Sequence, residues 1–186
     1  MDRASLPVWQ RRLLASGSPA LDVVHTGGVG AWIEADLVVD EPALSCWLGV
    51  LLEREVAGGS GLVDFRALRE ALFHCARSHV ADRPFRSCDV EVLNRLARGP
   101  ALPIALDTTG RAVLPVVNVD EALAHIAREG IALLTGPPRR RIRECAADDC
   151  QLLFVDTSRP GRRQWCSMAR CGNIAKTRAY RGRTEP

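Results

Sequence analysis

Apolar positions recur at spacings of three and four in two long stretches of this chain, and each predicts an amphipathic helix. The first runs from Pro42 to Glu55, with Leu44, Trp47, Leu48, Leu51 and Leu52 on one stripe. The second, "DFRALREALFHCARSHV", sets Leu68, Ala71, Leu72 and Cys75 on one face, with Asp64 placed to cap its start. "SCDVEVLNRLARG" predicts a shorter helix closed by Gly99 and Pro100. Asp120 opens a fourth, "EALAHIAREGIALLTG", which Pro137 and Pro138 stop. Between the third and fourth, β-branched runs flank "DTTG" in "ALPIALDTTGRAVLPVV", a hairpin signal whose prolines keep the strands short or at an edge. Residues 1–20 read as a loosely attached arm with a turn at "SGSP", and "ALDVVHT" as a short strand or buried turn. The "GGVG" that follows has neither the lysine nor the strand–loop–helix frame of a phosphate loop, so its glycines shape a connection.

Charge divides the chain at "TGPPRRRIREC". Residues 1–138 hold 13 Arg/Lys against 17 Asp/Glu, net −4; residues 139–186 hold 12 against 5, net +7. A basic tail has the sign that a polyanion wants. With 47% hydrophobic residues the chain has the material for a core, and no apolar run reaches the length of a membrane span. The first residues lack the apolar centre of a secretory signal. Seven cysteines, an odd number, include Cys46, Cys75 and Cys88 in helical segments, where they read as small buried hydrophobes. The expected compartment is the reducing cytoplasm.

Catalytic material is sparse. The histidines are His25, His74, His79 and His125, and no HExxH, GxSxG or P-loop pattern occurs. Asp22 and His25 lie in a stretch apolar enough for partial burial, which makes them candidates for a small-molecule pocket.

Four further cysteines, Cys145, Cys150, Cys166 and Cys171, follow the pattern Cys-x4-Cys-x15-Cys-x4-Cys. Two close pairs joined by a hairpin-sized insert suit a tetrahedral zinc site, since each pair supplies neighbouring thiolates and the insert folds the pairs together. Two disulfides, four unrelated thiols or an iron–sulfur cluster are the other readings. Residues 139–186 have little apolar surface of their own, so metal binding would supply folding free energy. Between the pairs, "QLLFVDTSRPGRRQW" reads strand, turn, strand, with Phe154 and Trp165 covering one side of the metal and Arg159, Arg162 and Arg163 crowding the tip. After Cys171, "GNIAKTRAYRGR" reads as a short basic helix that sets Asn173, Lys176, Thr177 and Tyr180 on one face with Arg178 and Arg181 beside it.

The stretch "RIRECAADDCQLLFVDTSRPGRRQWCSMARCGNIAKTRAYRGR" resembles the CGNR-type zinc-finger family, in which an N-terminal ABATE domain precedes the finger; its members are proposed stress-induced transcription regulators. "ALDVVHT" is similar to that domain's "LDFVNT" signature, and "EPALSCWL" to the helix that follows it. The resemblance implies zinc on Cys145, Cys150, Cys166 and Cys171, and a DNA-contacting helix from Asn173 to Arg183. Ile174 stands where the family has arginine, and His25 where it has asparagine. The first change removes either a phosphate contact or a brace for which packing by isoleucine must substitute; either way DNA affinity falls, and Arg178 and Arg181 can compensate.

The expected protein is therefore α+β and not an enzyme. A mostly helical domain with a small hairpin, residues 1–138, senses an effector or dimerises. A zinc-bound hairpin-plus-helix finger, residues 139–186, grips double-stranded DNA through Arg159, Arg162, Arg163, Asn173, Lys176, Arg178, Arg181 and Arg183. A homodimer would double its footprint. An RNA-binding or protein-docking zinc module, or an enzyme with its site in the first domain, is the alternative.

Overall fold

The computed structural model describes residues 6–29, 36–137, 141–148 and 150–184, with the side chains of residues 8, 9, 12, 179 and 181–184 outside that description. Chain order gives α1 (Val8–Arg11), a 3-10 turn (Arg12–Leu14), α2 (Pro19–Val24), α3 (Glu41–Leu52), α4 (Leu62–Val80), α5 (Ser87–Ala97), the strands β1 (Ala105–Leu106) and β2 (Ala112–Val113), and α6 (Val119–Thr135). Strands β3 (Arg141–Glu144) and β4 (Leu153–Asp156), a π-helical turn (Met168–Gly172) and α7 (Asn173–Thr184) complete it. The α+β class is as expected, as is the small antiparallel hairpin of β1 and β2; a second antiparallel hairpin, β3 with β4, lies in the finger.

The four predicted helices form, and their stripes face one core. Leu44, Trp47 and Leu48 of α3, Leu68, Ala71, Leu72 and Cys75 of α4, and Leu123, Ile126 and Ala127 of α6 are all buried in it. Their N-termini differ from expectation. Asp64 does not cap α4. The Glu41 carboxylate reaches across from α3 and accepts from Gly61 N and Leu62 N, each at 3.1 Å, which frees Asp64 to pair with Arg95. In α6 the cap is Asn118, two residues before the first acidic pair, in a reciprocal box with Glu121. Cys88 is exposed and Cys46 half-buried, so of the three body cysteines only Cys75 is a buried hydrophobe.

"ALDVVHT" is the clearest correction. It forms α2, not a strand, and Ala20 to Val24 are all buried. Ser18 and Pro19 provide the start: Leu21 N and Asp22 N both donate to Ser18 O at 3.0 Å, and proline fits the first helical position. A helix apolar nearly all round must be enclosed on all sides, and α2 is packed by α3, α4 and α6.

The connection after α2 is held by a buried arginine. Arg69 of α4 donates to both oxygens of Asp36, at 2.7 and 2.8 Å, and to Thr26 Oγ1 at 3.2 Å. Burial raises the Asp36 pKa, but the bonds from Arg69 and Val38 N and the arginine charges outweigh it, so the carboxyl sits below its usual range. Gly28 has φ +71°, and a Cβ there would lie 2.0 Å from Arg69 Nη2. Gly28→Ala is therefore expected to cost about 1–3 kcal/mol, read as a lower urea midpoint with unchanged helix content.

In the second hairpin β4 is buried along its whole length, whereas β3 buries Ile142 and leaves Arg141 exposed. Ile142 pairs with Val155 and Glu144 with Leu153. Ile142, Leu153 and Val155 join the helical core, and Glu144 pairs with Arg77 of α4 at 2.6 Å. On the other face Phe154 turns away from that core and packs with the cysteines. Val155 N also donates to Ser16 O at 2.8 Å. The sequence suggests that β4 pairs with a strand after the "DTSRPG" turn. Its partner instead lies upstream, in the charged segment "RIRE".

Candidate metal centre

Two unusual turns bring the four cysteines together. In the first, Cys145 N donates to Leu152 O at 2.9 Å and Cys150 N to Ala147 O at 3.0 Å. Gln151, at φ +44°, then reverses the chain into β4. In the second, the spacing itself poses a problem. Residues five apart on an α-helix point about 140° away from each other. Here the turn is widened into π-helix, closed by Gly172 N donating to Ser167 O at 3.1 Å, and Cys171 Sγ comes within 3.7 Å of Cys166 Sγ. Gly172 is required by close approach: a Cβ there would sit 2.8 Å from Met168 Sδ.

The ligand atoms of all four cysteines lie within 4.8 Å of one another, with Cys150 Sγ 3.5 Å from Cys166 Sγ. Zinc–sulfur bonds of ~2.3 Å in a tetrahedron place sulfurs ~3.8 Å apart. A disulfide needs ~2.05 Å, and all four cysteines are free thiols. Cys145, Cys150 and Cys171 are buried, in a cluster with Leu152 and Phe154 that Ala147, Trp165 and Cys166 border. Phe154 and Trp165 thus take the covering position expected of them.

The electrostatics of the thiols also ask for a cation. The bond to Cys166 lowers the Cys150 pKa to about 5, with burial opposing it. The same bond raises Cys166, and burial raises Cys171 to about 11. One thiolate is tolerated and further ones are opposed. A dication at the centre of the sulfurs removes that opposition.

Asp156 organises the hairpin tip beside the centre. Its oxygens accept from Ser158 N at 3.0 Å, Ser158 Oγ at 2.6 Å, Arg163 N at 3.0 Å and Arg143 Nε at 3.1 Å. Burial opposes its ionisation, but these bonds and the Arg143 charge hold its carboxyl below the ordinary range.

The structure separates the expected DNA-facing residues into groups. Arg159, Arg162, Asn173, Lys176 and Arg178 are exposed. Arg178 Nη1 lies 3.9 Å from the exposed Asp148 carboxylate, a separation at which a surface pair contributes little. Asn173 does not cap α7; its Nδ2 donates back to Ala169 O at 3.4 Å. Arg163 is engaged internally, stacked 4.6 Å from the Phe154 ring centroid and donating to Trp165 O and Cys166 O. Arg181 and Arg183 fall on α7, but their side chains lie outside the described residues. Ile174 remains 38% exposed and packs into neither core, so it does not act as a substitute brace. Arg141, not among the expected residues, lines a depression of ≈ 570 Å³ at the tip with Thr157, Ser158 and Arg159. Its place is fixed by pairing of β3 with β4, which local sequence does not reveal.

Asp22 and His25 are buried at the junction of helices and finger. Asp22 accepts from Ser16 N at 3.1 Å. His25 Nδ1 lies 3.0 Å from Leu13 O, and burial lowers its pKa to about 4 against opposing bonds from the Leu13 and Leu153 carbonyls. The cavity that His25 shares with Cys166 and Arg170 measures ≈ 60 Å³, room for ordered water, not for an organic effector.

Residues 17–137 match the ABATE family, described as "Putative stress-induced transcription regulator". The chain belongs to the ABATE family. Residues 141–184 match the CGNR zinc finger, so this ABATE chain carries its finger directly after α6, and the cluster of four cysteines falls inside it. Zinc is the cofactor that finger and donor set share. A comparison with curated proteins finds no significant match. Among the described residues of this ABATE protein, no helix is long and apolar enough to cross a membrane.

Proposed function

We propose that this ABATE protein is a zinc-dependent regulator that grips double-stranded DNA through its finger. Cys145, Cys150, Cys166 and Cys171 are the zinc ligands. Residues 139–186 form the DNA-contacting part, and residues 1–138 the sensing or dimerising part. The observation that carries the reading is the exposed basic surface built around the cysteine centre: Arg159 and Arg162 at the tip, and Asn173, Lys176 and Arg178 on α7. A rigid helix beside a charged loop is a common way to meet a groove and its phosphates. The aromatic residues favour duplex over single-stranded RNA. Phe154 is buried and Trp165 half-buried with the cysteines, which leaves Tyr180 as the exposed ring of the finger. A homodimer belongs to the same reading, because one small finger covers few base pairs. A cytoplasmic location is the accompanying proposal.

The test is duplex binding by the zinc-loaded chain across a salt series, followed by fluorescence anisotropy. Affinity should fall steeply with salt. Changing both Lys176 and Arg178 to alanine should reduce the log–log slope by about 2 and weaken binding to unrelated duplexes alike. Binding indifferent to salt would favour a protein-docking finger.

A further inference from the structure

A second concavity, of ≈ 520 Å³, lies in the helical part, away from the cysteines. Leu51 and Leu52 at the end of α3 and Leu102 and Ile104 before β1 give it apolar walls, and Arg54, His125 and Arg128 bring polar groups to it. Its volume is within the ordinary range for a small-ligand site, and so is this combination of an apolar lining with a few convergent polar groups.

The arginines are what make it specific. Arg54 Nη1 donates to Pro103 O at 3.3 Å, while its Nε is buried with no partner. Arg128 donates to Pro100 O at 3.1 Å and to Gly99 O. Backbone carbonyls satisfy hydrogen bonds but leave the charges uncompensated, and among the described residues neither guanidinium has a carboxylate within ion-pair distance. His125 reports the same field. Burial lowers its pKa, Glu129 opposes that, and the charges of Arg54 and Arg128 add to the lowering. Two positive groups beside a neutral imidazole, over an apolar floor, complement an anion with an apolar body.

We infer that this concavity binds a small apolar carboxylate, its anionic end between Arg54 and Arg128 and its body against Leu51, Leu52 and Leu102. Pro19, the first residue of α2, also lines it, and Ser16 just before accepts a hydrogen bond from Val155 N of β4 in the finger. An occupant therefore lies against the segment on which the finger rests. The binding itself does not depend on DNA contact, and its failure leaves that reading intact.

The experiment is calorimetric titration of the zinc-loaded full chain, without DNA, using octanoate, octanol and octylammonium as probes. Octanoate should bind one per chain, at least tenfold tighter than octanol, with octylammonium weakest. Arg54→Gln should weaken octanoate about tenfold and leave octanol unchanged. Leu52→Trp, which fills the floor while keeping both arginines, should weaken both. Circular dichroism of each variant establishes that it is folded. Equal affinity for octanoate and octanol, octanoate binding insensitive to Arg54→Gln in the folded protein, or no octanoate binding at millimolar concentration overturns the inference.

Discussion

Stripping zinc with a chelator, or replacing Cys166 by serine, is expected to unfold the finger and destabilise the helical body with it. Structural zinc contributes on the order of 10 kcal/mol or more in small modules, and residues 139–186 have few apolar side chains of their own. The finger is also part of the body's core. Ile142, Leu153 and Val155 belong to the same buried cluster as the body helices, β3 packs on α4, Val155 N bonds Ser16 O, and Glu144 pairs with Arg77. Losing a buried aliphatic side chain costs ~2–5 kcal/mol, and a domain's whole stability is ~5–15 kcal/mol. Withdrawing three such side chains together would leave the helices marginal. Calorimetry should therefore show one transition in the zinc-loaded protein, and a large downward shift of helix melting on metal removal, in step with the zinc released. A helical transition at an unchanged temperature would mean that the hairpin contributes nothing to the body.

That coupling was only half legible in the sequence. The run "LLFVD" reads as a strand, and its unbroken apolar character is what a strand buried on both faces needs. Which strand it pairs with is non-local, and "RIRE" conceals its single inward aliphatic, Ile142, among charges. The cysteine spacing was legible because ligand geometry is a local demand. The charge of Arg163 was equally visible, but not its position over Phe154, which depends on how the tip folds back around Asp156. The long stripes of α3, α4 and α6 are legible because each repeats over several turns. Six residues of α2 give no such repetition, and the paired valines 23 and 24 pointed to a strand. There the Ser-Pro start and enclosure by three helices decide. The helix starts lie upstream of Asp64 and Asp120: nothing local announces that Glu41 reaches Gly61 from another helix, and Asn118 and Glu121 bond reciprocally. The arginine-lined concavity was not legible at all: Arg54, His125 and Arg128 come from separate segments.

The alternating faces of β4 set up a contrast between two adjacent residues. Leu153→Ala should lower stability by ~2–5 kcal/mol while zinc transfers to a chromophoric chelator at nearly the original rate, because Leu153 belongs to the helical core. Phe154→Ala should cost a comparable ~3–5 kcal/mol and also accelerate zinc transfer at least tenfold. Phe154 is fully buried against the cysteines, so its removal opens the thiolates to water and competing ligands. It also removes the ring beneath Arg163, a contact worth ~0.5–2 kcal/mol. That guanidinium ties the carbonyls of Trp165 and Cys166, so the segment entering the second cysteine pair loosens as well. The two effects are separable, since stability is read from a denaturant midpoint and metal protection from a transfer rate under native conditions. Equal acceleration by both substitutions would show that zinc escapes only through global unfolding, and that the ring lends the centre no protection of its own.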